Sequence, residues 1–388
     1  MGAGRFAAQL LSGPPAGSAV EVVERLLAVQ GQDARGARLA IRARTAGLTA
    51  ADVDRALTVD RSLVITWLNR GTLHLVRGED YWWLQDLTTP PLHSGCARRL
   101  RQEGVGPQDA ERAVAAIERA LTRDGPLTRG QLRDRVRAVG VRTDGQALVH
   151  LLFLTALRQI TVRGPMIGGE QAFVHVHDWL GPAPAPVDRD SALAELARRY
   201  LAGHGPATDR DLAKWAGLPL RDATRGLAAI AATLAHGPDG LVELATAAPP
   251  IAGGAAGAAA APPIAGGAAG AAGATTGAAA APGSVAASVA GEPPAPRLLG
   301  PYDPLLMGWA SREPILGTYR EIVTVNGLFR PFALVDGRAV GTWRLAGGKV
   351  ELSLFEPVDP DAAAALDADA ADIRRFLAVA PVIAAAPE

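Results

Sequence analysis

One cysteine, Cys96, occurs in 388 residues, so an internal disulfide and a multi-cysteine zinc site are both excluded. Lysine is nearly absent as well: of 39 basic residues only Lys214 and Lys349 are lysines, and the rest are arginine. No window holds about 18 strongly apolar residues, which leaves no membrane span to propose. Met1–Ala16 has no charged-then-apolar leader, so a cytoplasmic protein is the expectation. The G-x-x-x-x-G-K phosphate loop, the G-x-S-x-G nucleophile turn and the dinucleotide fingerprint are all missing. Gly253–Gly273 is glycine-rich, but no strand and helix flank it as a phosphate loop requires.

Net charge is zero, with 39 acidic residues against the 39 basic ones, which at first argues against a nucleic-acid partner. The distribution argues for one. From Asp33 to Arg163 there are 21 arginines against 14 acids, whereas Glu351–Glu388 has two arginines against eight acids. A cation-rich N-terminal half built from arginine suits phosphate, because the planar guanidinium fork binds phosphate oxygens in pairs.

The length predicts two to three domains, and an internal repeat shows how they are built. "GPLTRGQL" (Gly125–Leu132) and "GPATDRDL" (Gly205–Leu212) share G-P-x-T-x-x-x-L at an offset of 80 residues, with a weaker copy at "GLTAADV" (Gly47–Val53). Each threonine, Thr49, Thr128 and Thr208, is placed to cap a helix, and the apolar residue four positions on falls on its buried face. Strand pairs follow the helices at "VITWLNRGTLHLV" (Val64–Val76) and "ITVRGPMIGGEQAFVHV" (Ile160–Val176). Helices followed by a β-hairpin form the winged-helix pattern. The expected fold is therefore mostly helical α+β, with three tandem winged-helix units: residues 1–94, 95–184 and 185–246. Residues 247–296, rich in Ala, Gly and Pro, read as a disordered linker. Residues 297–388, with Asn-Gly and Asp-Gly turns, read as a hairpin-rich region that completes the third unit.

The unusual stretch is "RLLAVQGQDARGARLAIRART" (Arg25–Thr45). An apolar helix-like run ends in two glutamines, Gln30 and Gln32, separated by Gly31. A glutamine side chain cannot act as a general base near neutral pH, but it can accept from a water through its carbonyl and donate through its amide. Two of them can orient a nucleophilic water beside a cation that develops without much acid help. Arg35, Arg38 and Arg42 follow at i, i+3 and i+7, one helical face that could track phosphates. Arg70 and His74, on the first hairpin, are candidates to line the same site. Asp303, in "YDP", suits a turn or a site carboxylate. His175 and His177 lie on one strand face, as a metal could use, but no third ligand stands at a recognisable spacing.

The segments "AVQGQDARGARLAIRART", "VITWLNRGTLHLV" and "LLGPYDPLLMGW…NGLFRPFALVDGRAVGTWRL" together resemble the winged-helix DNA glycosylases of the AlkZ/YcaQ type. The resemblance implies a C-shaped array of three winged helices around duplex DNA. It implies excision of N7-alkylated purines, including bulky adducts and interstrand crosslinks, in repair or self-resistance. Its catalytic centre is a Gln-aliphatic-Gln motif, carried here onto Gln30-Gly31-Gln32, with Gly31 in place of the larger aliphatic residue. The expectation is a monomeric, monofunctional glycosylase that acts on double-stranded DNA with no cofactor and no metal. The rival expectations are a winged-helix regulator that binds DNA without cutting it and a hydrolase using a metal at His175 and His177.

Overall fold

The structure, a computed structural model, describes residues 2–245, 293–324 and 326–378. The expected disordered stretch, residues 247–296, thus lies outside the described residues except for its last four positions.

The first unit contains α1 (Ala3–Ala8), α2 (Ala19–Leu26), β1 (Val29–Gln30), α3 (Ala34–Arg42), α4 (Ala50–Thr58), β2 (Leu63–Leu68) and β3 (Thr72–Arg77). Helices α5 (Tyr81–Thr88) and α6 (Leu92–Gln102) lead to the second, made of α7 (Pro107–Asp124), α8 (Arg129–Ala138), α9 (Ala147–Leu157), β4 (Thr161–Ile167) and β5 (Glu170–His175). After α10 (Val176–Leu180) the third comprises α11 (Arg189–His204), α12 (Asp209–Ala216), α13 (Leu220–Ala229), β6 (Leu234–His236) and β7 (Val242–Leu244). Three helices and a β-hairpin recur three times, so the tandem winged-helix expectation holds.

Local chemistry sets the helix starts. Thr128 and Thr208 cap α8 and α12 through reciprocal capping boxes with Gln131 and Asp211, and Thr49 caps α4 with Asp52. The apolar residues four positions on, Val53, Leu132 and Leu212, are fully buried. The repeat needs one correction. Thr128 and Thr208 start the second helix of their units, whereas Thr49 starts the third helix of its own. In each unit, residues ahead of the second helix pair with the outer wing strand: Leu127 with Phe173, Ala207 with Val242, and Val29 and Gln30 with Leu75 and His74. The unit-1 counterpart of "GPLT" is therefore the glutamine segment, where Asp33 caps α3.

The first two wings share one sheet of order β1-β3-β2-β4-β5, joined where Ile65 pairs with Arg163. The C-terminal part has β8 (Arg297–Leu299), α14 (Pro304–Met307), α15 (Glu313–Leu316), β9 (Phe332–Val335), β10 (Arg338–Ala346), β11 (Lys349–Leu354) and α16 (Pro360–Phe376). Its strands make a sheet of their own, β11-β10-β9-β8, separate from the β6–β7 hairpin of the third wing. Residues 297–388, expected to complete the third unit, add no strand to its wing among the described residues. This sheet and α16 instead enclose Leu39 of α3 with Leu298, Trp343, Leu366 and Ile373. Around α14 the chain reaches the third unit, where the Trp309 indole donates to the His204 carbonyl at 3.0 Å and Tyr200 donates to that of Gly308 at 2.8 Å.

Candidate active site

Gln30 is held first by its backbone, as the last residue of β1 and directly across from His74 of β3. It is a strand residue rather than a helix tip, because Leu27 takes a φ of 64° and breaks α2 away from β1. Its side chain is 4% exposed. The Gln30 amide donates from Nε2 to Oε1 of Gln32 at 2.9 Å, while Oε1 of Gln30 is buried with no partner among the described residues. The next amide, that of Gly31, donates to the Leu73 carbonyl at 2.7 Å and extends the ladder by one residue. A Cβ on Gly31 would lie 3.4 Å from Ile65 Cγ2, from the His74 carbonyl carbon and from the Leu75 nitrogen. The space for a larger residue at this position is therefore already occupied by Ile65.

Gln32 leaves the ladder and is exposed, on the wall of an open cleft of about 610 Å³. The same cleft is lined by Asp33 and Trp67 from the first unit, Arg163 from the second, and Tyr302 and Phe329 from the C-terminal part. Asp33 accepts from the Gly36 amide as it caps α3, which fixes its carboxylate beside Gln32. Sequence reading missed Asp33, Arg163, Tyr302 and Phe329. Asp33 was visible as the residue after the second glutamine, but nothing local marks the other three.

The arginine face divides into three fates. Arg35 is exposed and forms no ion pair among the described residues. Arg38 is half-buried and bonds to Asp54 and to the Ala34 carbonyl. Arg42 corrects the expectation: it is 3% exposed, donates to Asp369 at 2.8 and 2.9 Å, to Asp372 at 3.0 Å and to the Leu298 carbonyl at 2.9 Å. Burial opposes its charge, but the two carboxylates outweigh burial and raise its pKa. It fastens α3 to α16 and has no exposed edge to offer a phosphate.

Arg70 and His74 also depart from expectation, since neither lines the cleft. Arg70 reaches across to the Lys214 and Trp215 carbonyls and so ties the first wing to the third unit. Burial, and then the Arg312 charge, lower its pKa. His74 is 3% exposed, and burial followed by the Arg70 charge pulls its pKa down to about 3. Its Nδ1 lies 2.9 Å from the Thr72 carbonyl, so the imidazole is neutral with its proton on Nδ1, the tautomer assigned by that acceptor.

Asp303 serves structure. It caps α14 and forms a two-pronged ion pair with Arg44, at 2.8 and 2.9 Å, in which both side chains are fully buried. The His175 and His177 rings lie 5.6 Å apart, and His177 stacks on Trp82 at 5.1 Å. Among the described residues no group of three or more His, Cys, Asp or Glu side chains is placed to hold a metal, and no helix is long and apolar enough to cross a membrane.

Tandem winged-helix units are an architecture common among DNA-binding proteins. The model of the AlkZ-like DNA glycosylase family matches residues 23–376, so the chain belongs to that family. An interstrand DNA cross-link repair glycosylase of Streptomyces sahachiroi is 26% identical over an alignment of 379 residues that covers 92% of this chain and 90% of that protein. The solved structure of the Streptomyces sahachiroi DNA glycosylase AlkZ superposes with a TM-score of 0.71 at 23% identity, covering 97% of this chain and 95% of that one. That likeness is one of fold.

Proposed function

We propose that the protein is a monofunctional DNA glycosylase that hydrolyses the N-glycosidic bond of N7-alkylated purines in duplex DNA, with bulky adducts and interstrand crosslinks among its substrates. The observation that carries this reading is the bonded amide pair, Gln30 Nε2 to Gln32 Oε1, in which the buried Gln30 holds Gln32 on the wall of an open cleft rather than in a closed pocket. Most glycosylases flip the target base into a pocket. A bulky or crosslinked base cannot enter one, and an open cleft removes that restriction.

N7 alkylation places a positive charge on the purine, which then departs with the C1′–N9 electron pair and becomes neutral. What remains is an oxocarbenium-like sugar that needs a water at C1′. Oε1 of Gln32, on the cleft wall, has a second lone pair for that water, and the bond from Gln30 Nε2 holds that oxygen in place. The water's oxygen bonds to C1′ and its proton passes to solvent. The Asp33 carboxylate adds negative charge close to the developing cation. His74 is neutral and adds no opposing charge.

Lyase activity in addition to hydrolysis would need an amine nucleophile. Neither Lys214 nor Lys349 lines the cleft, and the Lys214 amine donates to the Ala310 carbonyl. That supports hydrolysis alone, and the proposal is of a monomer that needs no metal or cofactor.

The test is to incubate the purified protein with duplex containing N7-methylguanine and treat it with alkali. Strand breaks at the lesion that depend on the alkali step are expected. Intact DNA together with tight binding to one undamaged sequence would instead identify a regulator. Loss of cleavage on adding a chelator would revive the histidine metal site.

A further inference from the structure

The arginines buried deepest in this protein each face an acid: Arg42 meets Asp369, Arg44 meets Asp303 and Arg199 meets Asp80. Arg163 is half-buried and has no such partner among the described residues. It sits on β4, paired with Ile65 of β2 and Phe173 of β5, and its side chain forms part of the cleft wall. Its guanidinium carbon lies 3.9 Å from the Phe173 ring centre and 5.4 Å from that of Trp67. One bond is made to protein, from Nη1 to the Gln171 carbonyl at 3.3 Å. Nε is buried with no partner, and no carboxylate pairs with the group among the described residues.

We propose that Arg163 is a phosphate anchor, binding a backbone phosphate of the damaged strand beside the sugar that the glutamine pair serves. The proposal deepens the glycosylase reading and rests on it for the place of the sugar. Three arguments support it. Aromatic faces hold a guanidinium through its flat side, so stacking on Phe173 and Trp67 orients the group while leaving N–H edges for a ligand. Burial lowers the Arg163 pKa only to about 10, with the Glu170 charge resisting, so the group stays cationic at neutral pH. Third, an uncompensated cation facing a site that forms an oxocarbenium would raise the barrier there. The duplex itself brings the missing anion, because every nucleotide carries one phosphate, and a guanidinium fork can bind it through two hydrogen bonds.

The test uses the full-length protein and a duplex with a single tetrahydrofuran abasic analogue, which requires no excision. Affinity is measured against salt for wild type, Arg163→Gln and Arg163→Lys. The glutamine variant is expected to weaken binding to all sequences alike and to lower the slope of log K against log salt by about one, the signature of one lost phosphate contact. The lysine variant should keep most of that slope. A neutral methylphosphonate is then walked through the linkages flanking the analogue. At one linkage it should weaken wild type and leave Arg163→Gln unchanged. If Arg163→Gln keeps the wild-type slope, and both proteins respond alike at every linkage, the anchor is overturned and Arg163 only braces Phe173. Should Arg163→Gln fail to fold, the methylphosphonate walk on wild type decides alone: no sensitive linkage beside the analogue overturns the proposal. Because this binding needs no chemistry, its failure is distinct from failure of the alkali assay, which tests the glycosylase.

Discussion

Gln30 stands directly across the β1–β3 ladder from His74, so the first amide of the site is backed by an imidazole that burial keeps neutral. The pairing fixes Gln30 by backbone hydrogen bonds and leaves its side chain for chemistry. It also sets a limit on pH effects.

Excision should be independent of His74 titration, with no step near the ordinary histidine value of 6.5. Stability should behave differently. His74 and His204 are both held down to about 3 by burial, so below 6.5 the unfolded chain binds protons that the folded chain refuses. Their contribution is complete above 6.5 and is lost as pH falls from there towards 3, at about 1.4 kcal/mol per pH unit for each histidine. Urea unfolding across that range checks it, and His74→Gln should flatten the slope. A rate step near 6.5 would mean that His74 is open to solvent.

Gln32→Ala removes an exposed amide and no core volume, so the fold and duplex affinity should persist while excision drops by about 10–1,000-fold. Gln30→Ala should act similarly. The double variant should lose less than the product of the two, because the amides are bonded to each other and, in the proposed mechanism, serve one water. Single-turnover excision with N7-methylguanine duplex reads all three; alanine variants cutting at the wild-type rate would move the catalytic centre elsewhere in the cleft.

Two arginines of α3 should separate cleanly. Arg35→Ala should weaken duplex binding and flatten its salt dependence with little change in melting temperature. Arg42→Ala should do the reverse, because it strands Asp369 in a partly buried setting and frees α16 from α3. A destabilisation of about 2–4 kcal/mol is expected from breaking one side of such a pair. Thermal melts and salt titrations on both variants are sufficient.

Asp303→Ala leaves the Arg44 guanidinium fully buried without its counter-charge. It should cost about 3–5 kcal/mol in urea unfolding, more than any substitution in the cleft. Unfolding at the wild-type midpoint would show that water reaches Arg44.

Gly31 and Ile65 should behave as a coupled pair. Gly31→Ala brings a Cβ to ordinary contact distance and should be nearly neutral. Gly31→Leu overfills the space by Ile65 Cγ2 and should cost about 1–3 kcal/mol. Adding Ile65→Ala should recover part of the loss, which a thermal double-mutant cycle would measure. Full additivity would place the leucine elsewhere.

Much of the architecture was legible because its signals are local. The threonine caps, the alternation in the wings and the Asp-Gly turn each act within a few residues. The two glutamines were legible for a different reason: neutral amides at the end of an apolar run need explaining. What escaped depends on distant pairing. Arg42 and Arg35 lie on the same helix within one arginine-rich stretch, and it is the distant partners Leu298, Asp369 and Asp372 that make one a core residue. The cleft wall is likewise assembled from three remote parts. Arg163 enters it because β4 pairs with β2, a register that neither strand encodes alone. The weak third repeat misled because a capping threonine marks any helix start, whatever that helix's rank in its unit.

The Arg44–Asp303 and Arg42–Asp369 pairs have a consequence for synthesis. The helix that follows the glutamines and the turn after it are made early, yet the acids that neutralise their two buried cations emerge from the ribosome only after residues 303 and 369 have been added. Until then the first winged helix carries arginines with no place to bury them, and a chain truncated before residue 303 would keep both glutamines but have no settled frame to hold them. Nascent chains stalled at successive lengths should therefore gain protease resistance in this N-terminal part late, in step with the arrival of the C-terminal acids rather than with completion of the first unit itself.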